Sequence, residues 1–187
     1  TDADKTGAQE IEVRDRRLSH LIEVHKAQRG DQVRVGELGG KMGSGKIISI
    51  TEQVARLSID LRDAPPKKHA TQLILALPRP KMLRRILRSV AELGIGELHL
   101  INSYRVEKSY WQSPILAPEK MRDYLLQGIE QARDTELPLI YIHKRFKPFV
   151  EDTLPELIAG KNALLAQPGN YPDAPYGPSG NTLLVIG

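Results

Sequence analysis

Between Gln72 and Gly94 the chain changes period. Gln72–Leu77 is an aliphatic run closed by Pro78 and Pro80, the pattern of a buried strand. Pro80 suits the first turn of a helix, where its missing N–H costs nothing. Met82, Leu83, Ile86, Leu87, Val90 and Ala91 then recur at helical spacing until Gly94 ends the run. Glu97–Ile101 follows at once as a second strand. Strand, crossover helix and strand make a unit of parallel sheet. Downstream, Pro118 opens a helix from Glu119 to about Asp134, with Met121, Leu125, Ile129 and Ala132 as its apolar stripe and Gln131 and Arg133 in its last turn. Leu139–Ile142, Ala163–Ala166 and Thr182–Ile186 read as further strands, and Phe149–Ala159 contains a helix with Pro155 in its first turn. The Gly/Pro/Tyr-rich stretch Gln167–Asn181 is long enough for a functional loop.

Upstream the strands are short and the turns glycine-rich. Ile11 and Val13 mark a strand. Asp15–Ala27 is a helix or turn with Leu18, Leu21, Ile22 and Val24 on its apolar side. Arg29-Gly30-Asp31 is a turn, and Gln32–Leu38, Lys46–Ile50 and Val54–Leu61 are strands. This pattern suits a small barrel or sandwich. Gly39–Lys46 resembles a phosphate-binding P-loop, but Ile47 supplies no hydroxyl and IISI is strand-like, so no helix N-terminus follows. A glycine-rich hairpin carrying Lys41 and Lys46 fits better. Asp63–Lys68, with Pro65 and Pro66 at its centre, divides a domain of residues 1–66 from one of residues 67–187.

The 187 residues carry a net charge of +4, unevenly placed. Lys67–Arg122 holds 11 cations against 4 anions, whereas Thr1–Pro66 balances 11 against 11. A concentration of this kind suits a polyanion, most commonly nucleic acid. Cysteine is absent, so disulfides and thiolate metal sites are excluded and a reducing, cytoplasmic setting is expected. No apolar run approaches the ~20 residues of a membrane span, and no secretory signal is visible at TDADKTGAQE.

The candidate chemistry clusters after the strands. Arg79, Lys81, Arg84, Arg85 and Arg88 line the first crossover, where a solvated helix face is the alternative. After Ile101, the segment NSYRVEKSYWQSP interleaves Arg105 and Lys108 with Tyr104, Tyr110 and Trp111. Such aromatics either stack bases or pin the loop to its core. His20 and His25 read as surface polar residues, since nothing near them completes a metal set. HKRFKPF, after Leu139–Ile142, is basic. No nucleophile–base pair and no general base stands out.

Taken together, several motifs resemble one family. R-R-L-x-H-L (Arg16–Leu21), R-G-D (Arg29–Asp31), ALPRPKMLRRILRSVAELG, LINSYRVEKSYW, E-Q-A-R (Glu130–Arg133), LLAQPGN and TLLVIG are similar to successive segments of the bacterial ribosomal small-subunit methyltransferase E family. The resemblance implies an α/β fold: an N-terminal PUA-like β-barrel, then a SPOUT-type parallel-sheet domain with a trefoil knot. It implies S-adenosylmethionine as cofactor, N3 of a uridine in 16S ribosomal RNA of the small subunit as target, and a homodimer. Arg105 and Arg133 fall on segments expected near target and cleft, as catalytic candidates. Ala166, Gln167, Pro168 and Gly169 correspond to a first cofactor loop, with Gln167 where the family often has His. Ile186 and Gly187 begin a second cofactor loop, whose P-E-G-G continuation lies past Gly187, so the domain is expected to be incomplete at its C-terminus. The expected RNA contacts are Arg16, Arg17, His20, Arg79, Lys81, Arg84, Arg105, Lys108, Gln131 and Arg133. Arg84, Arg85 and Arg88 make the first helix more basic than in many members. The alternative is an RNA-binding module without catalysis, which the basic central third would serve unaided.

Overall fold

The computed structural model describes residues 5–7, 9–167, 169 and 180–187. Within it the chain divides into two compact units. One comprises residues 1–66 with Arg133–Glu136, and the other residues 67–132 with 137–187. The return of Arg133–Glu136 to the first unit had no sign in the sequence.

The first unit is a barrel-like five-stranded antiparallel sheet, ordered β1-β2-β5-β4-β3. Its strands are β1 (Lys5–Gly7), β2 (Glu10–Val13), β3 (Gln32–Gly36), β4 (Met42–Ile50) and β5 (Ala55–Asp63). Helix α1 (Asp15–Ser19) runs on into a π turn, His20–Val24. The core is Val13, Leu18, Ile47, Ala55 and Leu57, with Ile11, Leu21, Ile22, Val33, Val35 and Ile59 packed on it. Val24 is exposed rather than on the apolar side.

β4 begins earlier than its composition suggests. Gly43 and Gly45 are strand residues, paired with Leu61 and Ile59. A Cβ on Gly43 would lie 1.9 Å from the Asp60 carbonyl oxygen. These glycines permit close strand approach rather than a turn. Of the stretch that resembled a P-loop, residues 39–41 are the turn between β3 and β4 and residues 42–46 are strand, with Lys46 mid-strand.

Arg133–Glu136 closes onto the β3–β4 turn. Thr135 Oγ1 donates to the Gly40 carbonyl at 2.6 Å, and the Thr135 carbonyl accepts from Gly39 N–H at 2.7 Å. Asp134 Oδ1 accepts from the amides of Thr135 and Glu136, at 2.6 and 3.0 Å.

The second unit is a five-stranded, wholly parallel sheet ordered β8-β7-β6-β10-β9. Its strands are β6 (His69–Ala76), β7 (Ile95–Ile101), β8 (Leu139–His143), β9 (Asn162–Ala166) and β10 (Thr182–Ile186). Helices α2 (Pro80–Glu92) and α3 (Pro118–Ala132) pack on each other. Leu83, Leu87, Val90 and Ala91 are the buried stripe of α2, at the spacing read from sequence. Each large aliphatic so buried contributes about 1.5–3 kcal/mol. α3 comes close enough that a Cβ on Gly128 would sit 2.4 Å from the Arg88 carbonyl oxygen. The other sheet face is covered by α4 (Phe146–Pro148), a π turn (Phe149–Thr153) and α5 (Leu154–Ile158). There Ile74, Ile101, Phe149 and Leu183 form the core, with Val150, Leu154 and Leu157 against them. Among the described residues, no helix is long and apolar enough to cross a membrane.

Candidate active site at the carboxyl edge of the parallel sheet

In a parallel sheet all strands end on the same edge, and ligands bind where the winding direction reverses. Here the chain runs outward from β6 to β7 to β8, while β10 and β9 lie on the other flank. The reversal falls between β6 and β10. β9 and β10 pair in register to their ends, with Ile186 opposite Ala166 and Leu75. The two segments expected to hold cofactor, Ala166–Gly169 and Ile186–Gly187, thus leave the sheet side by side at the switch point. Ala166, Gln167, Gly169 and Gly187 are exposed, and Ile186 is half-buried. Pro168 lies outside the described residues, as does most of the loop read at Gln167–Asn181.

Next along the edge comes the end of β6. Leu77 N–H donates to the Ile101 carbonyl at 2.9 Å, and the chain then turns through Pro78 and Arg79 into α2. Arg79 stands at the N-cap with its side chain exposed, and Lys81 lies in the first turn, which carries no acid. Cations at a helix N-terminus oppose the helix dipole, so this end is electropositive and suits an anion. Arg84 and Arg85 are exposed too. Arg88 departs from the basic face expected for it. Its Nε donates to Gln127 Oε1 at 2.8 Å, and its guanidinium lies 4.9 Å from the Tyr124 ring centre. It joins α2 to α3 and is not a free contact for RNA.

The loop after β7 resolves the two readings of its aromatics. Trp111 Nε1–H donates to Asn102 Oδ1 at 3.2 Å, and the Tyr110 hydroxyl donates to Glu107 at 2.7 Å. Both are half-buried and pin the loop. Tyr104, at its tip, is wholly open to solvent, and Arg105 and Lys108 are exposed. At the end of β8, Asn102 N–H donates to the His143 carbonyl at 3.1 Å, which ties the two strand ends together.

A polar chain lies on the α4–α5 face of the same sheet, and the apolar-looking strands gave no sign of it. Lys161 Nζ donates to Gln72 Oε1, and Gln72 Nε2 donates to Glu97 Oε2 at 2.5 Å. Glu97 Oε2 is 3.7 Å from His99 Nε2, too far for a hydrogen bond, so it acts there through its field. His99 Nδ1 is 3.1 Å from His143 Nε2. His99 is 3% exposed and stacks on Tyr141 and His143, while His143 tilts against Phe149. Desolvation, then the neighbouring His143, pushes the His99 pKa down, and Glu97 opposes this. Desolvation alone lowers that of His143. Both rings are therefore neutral at pH 7.

Comparison with known proteins meets this geometry. A family model described as an RNA methyltransferase domain matches residues 65–187. The chain belongs to the RNA methyltransferase family. It is 35% identical over 144 residues to a protein of Treponema pallidum named ribosomal RNA small subunit methyltransferase E, an alignment covering 76% of this chain and 54% of that one. A Borreliella burgdorferi protein of similar name is 28% identical over 76% of this chain and 59% of its own. The chain thus spans between half and two thirds of the length of these curated relatives. Among solved structures, ribosomal RNA small subunit methyltransferase E of Neisseria gonorrhoeae, bound to S-adenosyl methionine, superposes with a TM-score of 0.65. That likeness covers 98% of this chain and 76% of that one at 16% identity, and it concerns the fold. The resemblance read from the motifs is borne out.

The other expected contacts of this RNA methyltransferase chain come from α1 with its continuation and from the end of α3. Arg16, Arg17 and His20 are on α1 and its continuation in the first unit. Arg17 pairs with Asp15 at 3.0 Å, and the His20 ring meets that of His25 edge-on. Gln131 is exposed in the last turn of α3. Arg133 is not in that turn. It follows the helix with φ 55° and belongs to the first unit. A non-glycine residue in that region costs about 1 kcal/mol, held here by the bonds of Asp134 and Thr135. Among the described residues no cluster of His, Asp and Glu could hold a metal ion.

Proposed function

We propose that this chain serves S-adenosylmethionine-dependent methylation of N3 of a uridine in 16S ribosomal RNA, in the cytoplasm and as a homodimer, with the first unit as a PUA-like RNA clamp. The observation that carries this reading is the pair of strand ends, β9 and β10, level at the switch point and flanked by the cations that follow β6 and β7. The residues present suit the cofactor: β9 and β10 carry no charged side chain, the half-buried Ile186 offers an apolar surface to an adenine ring, and Ala166 and Gly187 leave backbone open beside it.

When bound, S-adenosylmethionine supplies an electrophilic methyl group. The chain's own task is to bring a uridine N3 in line with it and to favour loss of the N3 proton, leaving N3-methyluridine. In this reading Arg79, Lys81 and Arg84 hold RNA phosphates near the N-terminus of α2, and Lys108 holds one at the β7 loop. Arg105 holds a phosphate or the negative charge that develops on the base, and Arg133 is the second candidate for either task. Tyr104, bare at the loop tip, offers a face on which a base stacks.

Nucleoside mass spectrometry of 16S RNA from a strain lacking the gene tests this. Loss of N3-methyluridine, restored by the intact gene, is expected. Unchanged N3-methyluridine contradicts the reading and favours a binding module without catalysis.

A further inference from the structure

The carboxyl end of β8 carries a cleft that the reading above does not use. Its volume is about 410 Å³, and His143, Lys144, Arg145, Phe149 and Asp152 are among the residues lining it. That is the size range of small-ligand sites. Lys144 and Arg145 are exposed, and their side chains make no hydrogen bond or ion pair with the described residues. Lys147 differs, since it pairs with Glu151 at 3.8 Å.

The buried polar chain decides what His143 presents. His99 and His143 share one proton between Nδ1 of the first and Nε2 of the second. If His99 Nδ1 held it, the bare Nε2 lone pair of His99 would face the Glu97 carboxylate at 3.7 Å, buried and without a partner. If His143 Nε2 holds it, His99 carries its own proton on Nε2, toward that carboxylate. The second arrangement sets opposite charges together and the first sets like ones. Glu97 and His99 therefore fix His143 as the tautomer with a bare Nδ1, a hydrogen-bond acceptor on a ring that lines the cleft.

We propose that this cleft holds a nucleotide of the RNA strand next to the modified one, with its phosphodiester on Lys144 and Arg145 and a hydroxyl or base N–H donating to His143. Two cations alone would suit any anion. An acceptor ring and the acid Asp152 suit a ligand that carries N–H and hydroxyl donors beside its phosphate, as a ribonucleotide does. Glu97 and His99 are positioning residues acting through His143. The proposal rests on the RNA-directed reading, and the test separates the two.

The experiment measures equilibrium binding of a small-subunit ribosomal RNA transcript to this chain at several salt concentrations, for wild type, K144A/R145A, H143F and E97Q, each shown by circular dichroism to be folded. For K144A/R145A, affinity is expected to fall at least tenfold and the salt slope by about 1.4, two single-strand phosphate contacts. H143F should lose about fivefold with the slope unchanged. In ¹⁵N NMR, His143 should titrate as the Nε2–H tautomer in wild type, and E97Q should mix the two tautomers and weaken binding in step. Wild-type binding with an unaltered K144A/R145A slope overturns the proposal and spares the reading beneath it. So does an Nδ1–H tautomer at His143 in wild type. Competition by millimolar inorganic phosphate as effective as that by uridine monophosphate would mean a plain anion site and would also overturn it. No binding of the transcript by wild type overturns both.

Discussion

The two faces of the parallel sheet are built from the same strands, yet they differ in kind. Where α2 and α3 lie, the contact is apolar and close-fitting: Leu83 and Leu87 are fully buried, and Gly128 exists to let the two helix backbones meet. Under the short segments α4 and α5, the sheet instead carries Gln72, Glu97, His99 and His143 beside Ile74 and Phe149. Leu98 and His99 are neighbours and nearly equal in burial. One is there for packing. The other keeps a polar ring inside at a desolvation cost, which only its partners offset. Depth of burial alone does not separate structure from chemistry; the hydrogen-bond partners do.

The contrast can be pressed from its strongest point downward. On the apolar face, Leu87→Ala should lose about 3 kcal/mol in urea unfolding, since a fully buried leucine leaves a cavity. Gly128→Ala should cost about 2 kcal/mol, because the new methyl group meets backbone at 2.4 Å and only a helix shift relieves it. On the polar face the signature is pH. His99 and His143 are held below the usual histidine value of 6.5. Below about pH 6.5 the unfolded chain takes up protons that the folded chain refuses, so stability is full above that pH and falls as pH drops toward 5. His99→Leu should flatten this part of a melting-temperature profile, and an unchanged profile would place the sensitivity elsewhere. Smallest of all, Arg84→Ala with Arg85→Ala should stay within about 0.5 kcal/mol of wild type in stability while weakening RNA binding.

Much of the apolar face was legible in the sequence. Pro80, the aliphatic spacing of α2 and the run after Gly94 define β6–α2–β7 without outside help. The polar face was not, because Gln72, Glu97, His99 and His143 meet only through the parallel register of β6, β7 and β8, and Lys161 reaches them from the turn before β9. Nothing local marks that register. Glycine was misleading in β4, where Gly43 and Gly45 look like turn residues but serve close strand approach. Arg133 was placed in a helix because Glu130–Arg133 continues the helical composition; the bonds of Asp134 and Thr135 within the first unit end it instead. Arg88 read as one more surface cation, since its tie to Gln127 needs α3 alongside. The position of β10 between β6 and β9, which creates the switch point, is a matter of strand order and leaves no trace in periodicity.

The account rests on the carboxyl edge of the sheet being the working edge. The direct test is methyl transfer from labelled S-adenosylmethionine into N3 of uridine in small-subunit ribosomal RNA by the full-length protein, comparing the double reversal R79E/R105E with Lys67→Glu at the opposite edge. A loss of at least a hundredfold for the first and less than threefold for the second is expected. Equal losses, or full activity in R79E/R105E, would contradict it.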